Sequence, residues 1–512
     1  MLSRVIMIQL SGSSLTLDQL AAIADDYERV ELARDAVGRM TAARAVVDRQ
    51  AAGTEAVYGV NTGFGALAET AIPRDALETL QLNLLRSHAA GVGEHLPVRA
   101  VRASMALRAN VLAKGYSGIR VSTLEQLIEL LNRRVHPVVP SRGSVGASGD
   151  LAPLAHLALV LIGEGEAIVG DESRPRGGRD ALAVAGLAPI TLAAKEGLAL
   201  INGTQPSAAV AALALAGAER LARAADIAAA LSIDGLRGSV RPFDPRIHDA
   251  RPHQGQRVSA ANIRRLLDGS GINASHAGCG RVQDAYSLRC AAQVHGAARD
   301  ALRFVRDTVQ IEANAATDNP MVFAEEGEIL SGGNFHGAPV AVAADLLTIA
   351  IAQLSTISER RSDRLVNPAL SDLPAFLTPN SGLQSGYMMA QVTAAALTSE
   401  IKTLSHPASV DTIPTSANRE DHVSMSMGAA LKAGRALELA THVIATEILF
   451  ACQALDLLAP LKTSAILQRV HARVRGQVPA LADDRPPAPD IEGISRMIAT
   501  GSLEAVCDGE VK

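Results

Sequence analysis

Apolar residues recur along this chain at helical spacing, which predicts a fold built mainly from helices. Residues 16–19 (TLDQ) have the form of a capping box, and the apolar positions of residues 17–24 follow on one face of a helix. Residues 122–125 (STLE) repeat this arrangement ahead of the leucines in residues 127–131, and Pro137 ends the pattern. Between these two predicted helices the sequence is Gly-rich and predicts irregular structure.

From residue 206 onward the pattern becomes long, Ala-rich and helical. These stretches contain few prolines and carry well-separated charges, which predicts a bundle of long parallel and antiparallel helices. Runs of period two are rare, so strands are expected to be minor. Residues 483–490, rich in Pro and acid, predict an exposed loop before the last helix. The long helical stretches are residues 206–233, 282–312, 337–365, 386–404 and 420–458.

The change of pattern near residue 205 predicts two domains. Residues 1–205 are expected to form a smaller, loop-rich N-terminal domain, and residues 206–512 a central long-helix bundle with C-terminal helices. Apolar residues make up 48% of the chain and charged residues 20%, the balance of a soluble globular protein. Aromatic residues account for only 2%, so Ala, Leu, Val and Ile must pack the core.

Charge and cysteine content exclude several classes of partner. A formal net charge of −5 predicts no general attraction to nucleic acid or to an anionic membrane surface. The four cysteines lack C-x-x-C spacing, which argues against a zinc site or a disulfide framework and favours a reducing compartment such as the cytoplasm. No H-E-x-x-H pair occurs, so no metal site is predicted. Apolar stretches such as residues 341–354 contain a charge, Asp345, and predict no membrane span.

Residues 141–156 (SRGSVGASGDLAPLAH) form the most unusual segment. Their glycine spacing fits neither a dinucleotide-binding loop nor a Walker loop, so phosphate binding is not expected. One interpretation is a Gly/Ser turn in which Asp150 caps a helix and Pro153 lies in the first turn.

A second interpretation of the same segment is chemical, and the residues alone leave both open. Glycine has the least hindered amide nitrogen, and Gly149 follows the small residue Ala147 at a distance of two residues. Attack of the Gly149 nitrogen on the Ala147 carbonyl, with loss of the carbonyl oxygen as one water and of the Ser148 hydroxyl as a second, would give a five-membered ring with an exocyclic alkene. Such a ring is a strong electrophile, which no ordinary side chain supplies.

Six segments in order along the chain resemble the signature motifs of the histidine/phenylalanine ammonia-lyase family. The resemblance implies a mainly α fold, a long-helix bundle of the aromatic ammonia-lyase or fumarase/aspartase-like type. It implies that Ala147-Ser148-Gly149 forms the cofactor 4-methylideneimidazol-5-one, MIO, autocatalytically. It also implies a homotetramer whose active sites draw residues from more than one subunit. The matching segments are residues 58–65, 146–154, 201–205, 283–289, 333–337 and 420–425.

The resemblance also implies roles for individual residues. Tyr58 would be the base that takes the β-proton of the substrate, although a free phenol titrates near 10 and needs its pKa lowered for this task. Arg289 would grip the substrate carboxylate as a bidentate fork. The spacing of Gln283, Tyr286 and Arg289 places them on one side of a predicted helix, which by itself indicates only a polar face. Residues expected to bond or pack around the ring and the substrate are Asn202, Gln283, Tyr286 and Phe335.

Two positions favour histidine as the amino-acid substrate, with urocanate and ammonia as products. Ser87-His88 resembles the histidine-specific members, and an imidazole can hydrogen-bond a substrate imidazole. Glu420 resembles the acid of those members, and a carboxylate suits an imidazole N–H. By themselves, His88 would be a satisfied buried histidine, and Glu420 would lie in the first turn of a helix, where acids are favoured.

Three departures and two alternatives accompany this interpretation. Arg419, Ala285 and Ala338 stand where family members usually carry Gln, Pro and Glu, and Arg419 puts a fixed charge next to Glu420 in sequence.

A tyrosine or phenylalanine ammonia-lyase, or a 2,3-aminomutase with the same cofactor, is the first alternative. A non-enzymatic helical scaffold is the second, and the retained motif residues argue against it.

Overall fold

A computed structural model describes residues 7–512, and helices dominate the described chain, which confirms the prediction of a mainly α fold. The capping box at its start is confirmed as well: Thr16 Oγ1 accepts the Gln19 N–H at 3.1 Å, and Gln19 Oε1 accepts the Thr16 N–H at 3.0 Å. The helices before residue 205 are α1 (Leu17–Asp25), α2 (Arg34–Ala52), α3 (Leu77–His88), α4 (Val98–Ala113), α5 (Val121–Asn132), α6 (Leu151–Leu161), α7 (Gly178–Val184) and α8 (Glu196–Ile201).

The second part of the chain carries the four longest helices, of 31, 22, 29 and 32 residues: α9, α14, α15 and α17. Their positions confirm the Ala-rich stretches predicted from residue 206 onward. The helices of this part are α9 (Gln205–Gly235), α10 (Pro245–Asp249), α11 (Gln254–Leu267), α12 (Gly271–Ser275), α13 (Tyr286–Arg289), α14 (Ala291–Glu312), α15 (Ala338–Val366), α16 (Met388–Leu404), α17 (Ser426–Leu457), α18 (Ala465–Arg475) and α19 (Ala488–Ala499).

Strands are short, as expected. They are β1 (Ile8–Leu10), β2 (Val30–Leu32), β3 (Val92–His95), β4 (Val135–Pro137), β5 (Pro140–Arg142), β6 (Glu166–Val169), β7 (Arg176–Gly177), β8 (Met321–Phe323) and β9 (Glu328–Leu330). None is longer than four residues among those described. Strand β1 pairs in parallel with β2, while β3 with β5, β4 with β6, β6 with β7, and β8 with β9 pair antiparallel.

The chain divides into two compact units, and each is made of three segments. The first unit comprises the chain up to Leu213 together with Arg306–Ala344 and Pro407–Leu431. The second comprises Ala214–Val305, Asp345–His406 and Lys432–Lys512. The division into two domains at residue 205 stays a prediction.

Helices α2, α3 and α4 lie where the sequence indicated irregular structure, so that prediction was wrong. Helix α4 explains why, because it is buried on all sides and therefore shows no one-sided apolar stripe. Polar residues such as Arg102, Arg108 and Asn110 are buried within it and interrupt the apolar pattern further.

The predicted capping box at residues 122–125 is wrong, although the helix exists. Helix α5 begins two residues earlier than a capping box with Ser122 as N-cap predicts, at Val121, and Arg120 is its N-cap residue without a side-chain capping bond. The buried carboxylate of Glu196 provides the hydrogen bonds instead: it accepts the Arg120 N–H at 3.0 Å and the Thr123 hydroxyl at 2.8 Å. An acid that is distant in sequence therefore satisfies the donors at the start of α5, and a local sequence motif cannot reveal such a partner.

Two helices, α15 and α17, are long and apolar enough to cross a membrane by length and composition. However, 67% and 83% of their most apolar windows are buried inside the structure. Such burial is typical of the core helices of globular proteins.

A buried ionic network ties together the helices of the second unit. Arg361 on α15 and Glu447 on α17 have fully buried side chains and form a bidentate pair, with Nη2 to Oε2 at 2.9 Å. Ser232 on α9 donates its hydroxyl to the same carboxylate at 2.7 Å. Burying an ion pair costs desolvation energy, which the attraction between the two charges offsets. Removal of one partner therefore leaves the other as an uncompensated buried charge.

We expect Glu447→Gln to lower the free energy of unfolding by about 3–5 kcal/mol, because Arg361 would stay charged and buried without its partner. Urea unfolding of the full chain measures this change. The matched control is Glu400→Gln, which removes one of the two acidic partners of the half-exposed Arg435, the other being Glu438, and should cost about 1 kcal/mol or less. Equal losses in the two variants would contradict the expected role of burial.

Candidate active site

The predicted tripeptide, residues 147–149, lies in a loop between β5 and α6 in the first unit. Gly149 has a φ of +72°, a left-handed conformation that favours glycine. A Cβ atom at Gly149 would lie only 2.3 Å from the carbonyl oxygen of Gly203, so any side chain there would clash with the backbone. Asp150 N–H donates to the same oxygen at 2.7 Å. The loop is thus closely packed against the segment that carries Asn202.

Asp150 is the N-cap residue of α6 and Pro153 lies in the first turn, as the first interpretation of the segment has it, but the Asp150 side chain makes no capping hydrogen bond. Its fully buried carboxylate accepts the Ser144 hydroxyl at 2.6 Å and the Ser207 N–H at 2.8 Å. Burial raises the pKa of Asp150, and these two hydrogen bonds oppose that rise. The carboxylate therefore ties the loop to the start of α9 rather than to its own helix.

Ser148 is held by Glu420, which lies 272 residues further along the chain. The Ser148 hydroxyl donates to Glu420 Oε1 at 2.9 Å, and the Thr415 hydroxyl donates to Oε2 at 2.5 Å. Between them, Ser424 Oγ donates to the Gly146 carbonyl at 2.9 Å, which fastens the two loops together. The partly buried carboxylate is consequently aimed at the middle residue of the tripeptide.

Glu420 does not lie in the first turn of a helix, so the capping interpretation of this residue was wrong. Helix α17 begins only at Ser426, and Glu420 pairs through its backbone with Thr415 across a tight turn. Three of the four residues between Thr415 and Glu420, namely Ser416, Ala417 and Asn418, have φ values of +49°, +53° and +68°. Three successive left-handed residues without glycine store backbone strain, which is common beside functional sites.

Tyr58 and His88 experience the charge of Glu420, so these three titratable groups share one site. Burial and the Glu420 carboxylate both raise the pKa of Tyr58, while the Gly65 N–H bonded to the hydroxyl opposes them. The expected lowering of this pKa is thus not supplied by this chain. Burial lowers the pKa of His88, against the opposing effects of the Leu84 carbonyl and of Glu420.

A hydrogen bond from Nδ1 to the helix backbone orients the His88 ring at the end of α3. Its Nδ1 lies 2.9 Å from the Leu84 carbonyl oxygen, which can only accept, so Nδ1 carries the proton. Ser87 Oγ is 3.0 Å from the same nitrogen. The lone pair of the neutral ring is therefore on Nε2, on the side away from the helix backbone.

Asn202 follows α8 and is buried, with 4% of its surface exposed. Its side-chain Oδ1 has no hydrogen-bond donor among residues 7–512. A buried acceptor of this kind is costly unless a ligand or another group satisfies it. Asn202 is therefore a position where the structure favours an additional bound group.

Phe335 lies in the turn between β9 and α15, in the first unit. Gly337 N–H lies 3.4 Å from the Gly146 carbonyl, and His336 Nε2 lies 3.2 Å from the carbonyl oxygen of His422. The His336 and His422 rings are stacked, with centroids 5.8 Å apart. The segment of Phe335 thus adjoins both the tripeptide loop and the Glu420 segment.

Gln283, Tyr286 and Arg289 belong to the second unit. Gln283 precedes the short helix α13 instead of lying on it, which corrects the prediction of a single helix over residues 282–312. All three line an open pocket of about 570 Å³. The Arg289 guanidinium lies 4.6 Å from the centroid of the Tyr286 ring, whose side chain is 71% exposed. Within the described chain, Arg289 Nε has no hydrogen-bond partner.

The Arg419 guanidinium is directed toward a second acid, Glu69, although Arg419 adjoins Glu420 in sequence. Its guanidinium lies 3.8 Å from Glu69 Oε1, and both side chains are largely exposed. Its charge is therefore directed toward another acid and screened by solvent, which weakens any effect on Glu420.

The sequence did not single out Thr415 or Arg108. Thr415 completes the bonds of Glu420, and buried Arg108 donates to the Asn202 carbonyl oxygen at 2.8 Å. Neither carries a local signal, because each acts on a residue that only folding brings near. Across residues 7–512, no group of three or more His, Cys, Asp or Glu side chains is arranged to hold a metal ion.

The residues of the first unit suit a ring at positions 147–149. Gly149 occupies a backbone conformation and a space that only glycine tolerates, and Ser148 is bonded to an acid. The unpartnered Asn202 oxygen lies on the segment that packs against Gly149. Together with a neutral imidazole, a phenol and a carboxylate, this arrangement can orient a polar substrate and move protons near Ser148.

Comparisons with known proteins agree with this geometry. A family model described as aromatic amino acid lyase matches residues 15–476. A histidine ammonia-lyase from Anaeromyxobacter dehalogenans (strain 2CP-C) is 58% identical over 502 residues, which cover 97% of this chain and 99% of that protein.

Solved structures extend the likeness to the fold. The structure of histidine ammonia-lyase from Trypanosoma cruzi is 45% identical with a TM-score of 0.92, over 99% of this chain and 96% of that one. Tyrosine aminomutase from Streptomyces globisporus is 37% identical with a TM-score of 0.94, over 99% of each chain. The fold type implied by the motifs is thereby confirmed. This chain belongs to the aromatic amino acid lyase family, a family of carbon–nitrogen lyases.

Proposed function

We propose that this chain carries out the histidine ammonia-lyase reaction, the non-oxidative conversion of L-histidine to trans-urocanate and ammonia. The observation that carries the proposal is the Glu420 carboxylate, which bonds Ser148 and acts on Tyr58 and His88 at once. Two relatives named histidine ammonia-lyase support the proposal. The protein from Anaeromyxobacter dehalogenans is 58% identical and the one from Myxococcus xanthus is 54% identical, in each case over nearly the whole length of the relative.

The proposed cofactor is 4-methylideneimidazol-5-one, formed by Ala147, Ser148 and Gly149. When formed, this ring supplies an electrophile and electron sink for the substrate amine. Support comes from the space at Gly149, which excludes a side chain, and from the unpartnered oxygen of Asn202. Asn202 would hydrogen-bond around the ring and the substrate, and Phe335 would pack against them.

Substrate selection would depend on His88 and Glu420. Because His88 Nδ1 donates to Leu84, its Nε2 is free to accept an N–H from the substrate imidazole. The carboxylate of Glu420 can accept a hydrogen bond from the second N–H of a protonated substrate imidazole. It can also accept one from another donor nearby. A phenyl ring offers neither bond, so these partly buried polar groups would discriminate against phenylalanine.

Tyr58 would be the base that takes the β-proton. Its raised pKa in this chain means that the phenolate form requires an added positive charge or an alkaline medium. The guanidinium of Arg289 would bind the substrate carboxylate, with Gln283 and Tyr286 beside it.

We also propose a homotetramer whose active sites draw residues from more than one subunit. The exposed Tyr286 ring and the unpartnered Arg289 Nε support this, because both groups are polar and available to contact another surface. The proposed location is the cytoplasm, and the four free cysteines support it because they suit a reducing compartment. The expected partner is a small amino acid, with neither nucleic acid nor a membrane.

Ser148→Ala tests the cofactor. We expect the wild-type protein to be lighter than its sequence mass by two water molecules and to absorb in the near ultraviolet, and the variant to lose both signals and the activity. Intact-mass spectrometry and absorbance measure this. The control is Ser144→Ala, which should keep the mass deficit because Ser144 contributes two hydrogen bonds, one donated to Asp150 and one accepted from the Gly146 N–H, but no atom of the ring. A wild-type protein at full sequence mass would overturn the proposed cofactor.

Incubation with histidine, tyrosine and phenylalanine tests the substrate. We expect urocanate from histidine, and a loss of about 10–100-fold in kcat/KM for histidine in His88→Leu, since a hydrogen bond to the substrate is removed. Products are resolved by chromatography, so that cinnamates or β-amino acids reveal a tyrosine or phenylalanine lyase or an aminomutase. Absence of urocanate would rule out the histidine assignment.

The pH profile of kcat/KM tests the roles of Tyr58 and Glu420. Since the Glu420 charge raises the Tyr58 pKa, neutralising it in Glu420→Gln should move the ascending limb of the profile to lower pH, with a lower plateau. The control Glu69→Gln removes a nearby exposed acid that bonds only Arg419 and should leave the limb in place. A limb that stays or moves to higher pH in Glu420→Gln would refute this assignment of the base.

A further inference from the structure

Arg108, on α4 in the first unit, is completely buried, and its guanidinium donates hydrogen bonds to one short segment of the chain. Nη1 donates to the Asn202 carbonyl oxygen and to Gln205 Oε1, each at 2.8 Å, and Nη2 donates to the Ala199 carbonyl oxygen. Carbonyls at the end of a helix lack intrahelical partners, and a cation there also interacts favourably with the helix dipole. Arg108 is therefore the C-terminal cap of α8.

The segment that Arg108 holds is the one against which the tripeptide packs. Gly203 forms a backbone bridge with Gly149, and its carbonyl accepts the Asp150 N–H at 2.7 Å. A Cβ atom at Gly203 would lie 2.5 Å from Arg108 Nη1 and 2.4 Å from Gln205 Oε1, so the guanidinium is in close contact with this backbone. Movement of Arg108 would release both Asn202 and the surface under Gly149.

The charge environment of Arg108 shows that the fold maintains a buried cation here. Burial lowers its pKa to about 10, and Asp318 raises it, so the guanidinium remains charged at neutral pH. Lys195, also fully buried, faces the same acid at 3.5 Å from Asp318 Oδ2. A buried arginine is expensive, and neutral residues would cap carbonyls less strongly.

We infer that Arg108 is a positioning residue for the cofactor: it fixes the Asn202–Gly203 backbone against which residues 147–149 close into a ring, and it sets the direction of the Asn202 side chain. The inference rests on the proposed function. Its two consequences are separable, because ring formation changes the mass of the chain whereas the placement of Asn202 changes turnover by chains already processed.

Arg102 offers a matched control on the same helix. It is 1% exposed, its pKa is likewise lowered to about 10 by burial, and it also donates to backbone carbonyls. Its acceptors are Ile23 at 2.9 Å and Leu131 at 3.0 Å, away from the tripeptide segment. Substituting it therefore reports the general cost of losing a buried arginine from α4.

The experiment compares Arg108→Lys with Arg102→Lys in the full-length protein. Lysine keeps the charge but not the forked geometry that serves three acceptors. We expect a large unprocessed fraction by intact mass in Arg108→Lys, and kcat per processed chain reduced about tenfold, since a small misplacement of a catalytic group is costly. Arg102→Lys should be processed like the wild type, even where its urea midpoint falls equally.

Complete processing with wild-type kcat in Arg108→Lys, or equal losses in both variants, would overturn the inference. If Arg108→Lys does not fold, Gln205→Leu decides: it removes one acceptor of Arg108 while the cation stays. We then expect slower appearance of the processed mass, and an unchanged rate would overturn the inference. A wild-type chain without the mass deficit would instead refute the proposed function, so the two failures are distinguishable.

Discussion

The close approach of two backbone segments, at Gly149 and Gly203, is the constraint on which the site depends. With 2.3 Å between a Cβ atom at Gly149 and the Gly203 carbonyl oxygen, only glycine permits this contact. The contact places the tripeptide loop beside Asn202 and directs Asp150 N–H to the Gly203 carbonyl. The elements around it have supporting functions: buried Asp150 ties the loop to the start of α9, and buried Arg108 holds the segment on the other side.

Glu420 gives this packed region its electrostatic character. Two hydroxyl donors, from Ser148 and Thr415, satisfy its oxygens, while its charge raises the pKa of Tyr58 and opposes the lowering at His88. A base with a raised pKa needs a compensating cation, and the buried cations of the first unit are directed elsewhere: Arg102 and Arg108 to backbone carbonyls, Arg44 to Asp48 and backbone carbonyls, and Lys195 to Ser117 and Asp318. The exposed pair Tyr286 and Arg289 would satisfy this need in the proposed assembly.

Much of the fold was predictable because long Ala-rich helices carry a strong periodic signal. The helices α9, α15 and α16 begin and end within two residues of the predicted limits. Prediction failed where burial was complete or where a partner was distant. Helix α4 has no polar face to reveal it, and α5 begins on a carboxylate, Glu196, that lies more than seventy residues away along the chain. The residues around Glu420 looked helical in composition, yet they form a left-handed turn ahead of α17.

The sequence by itself determined the chemistry-bearing segments, because a reactive tripeptide and its accompanying motifs consist of contiguous residues whose types are visible without folding. It also determined the mainly helical architecture, since periodicity is a local property. Only the tertiary structure decided that Glu420 bonds Ser148 from 272 residues away, that Thr415 completes the hydrogen bonds of that carboxylate, and that the Asp150 side chain, at the N-cap position of α6, bonds Ser144 and Ser207 and not its own helix. These outcomes depend on which side chains packing brings within hydrogen-bond distance, and on burial, which sets the direction of the Tyr58 and His88 pKa shifts.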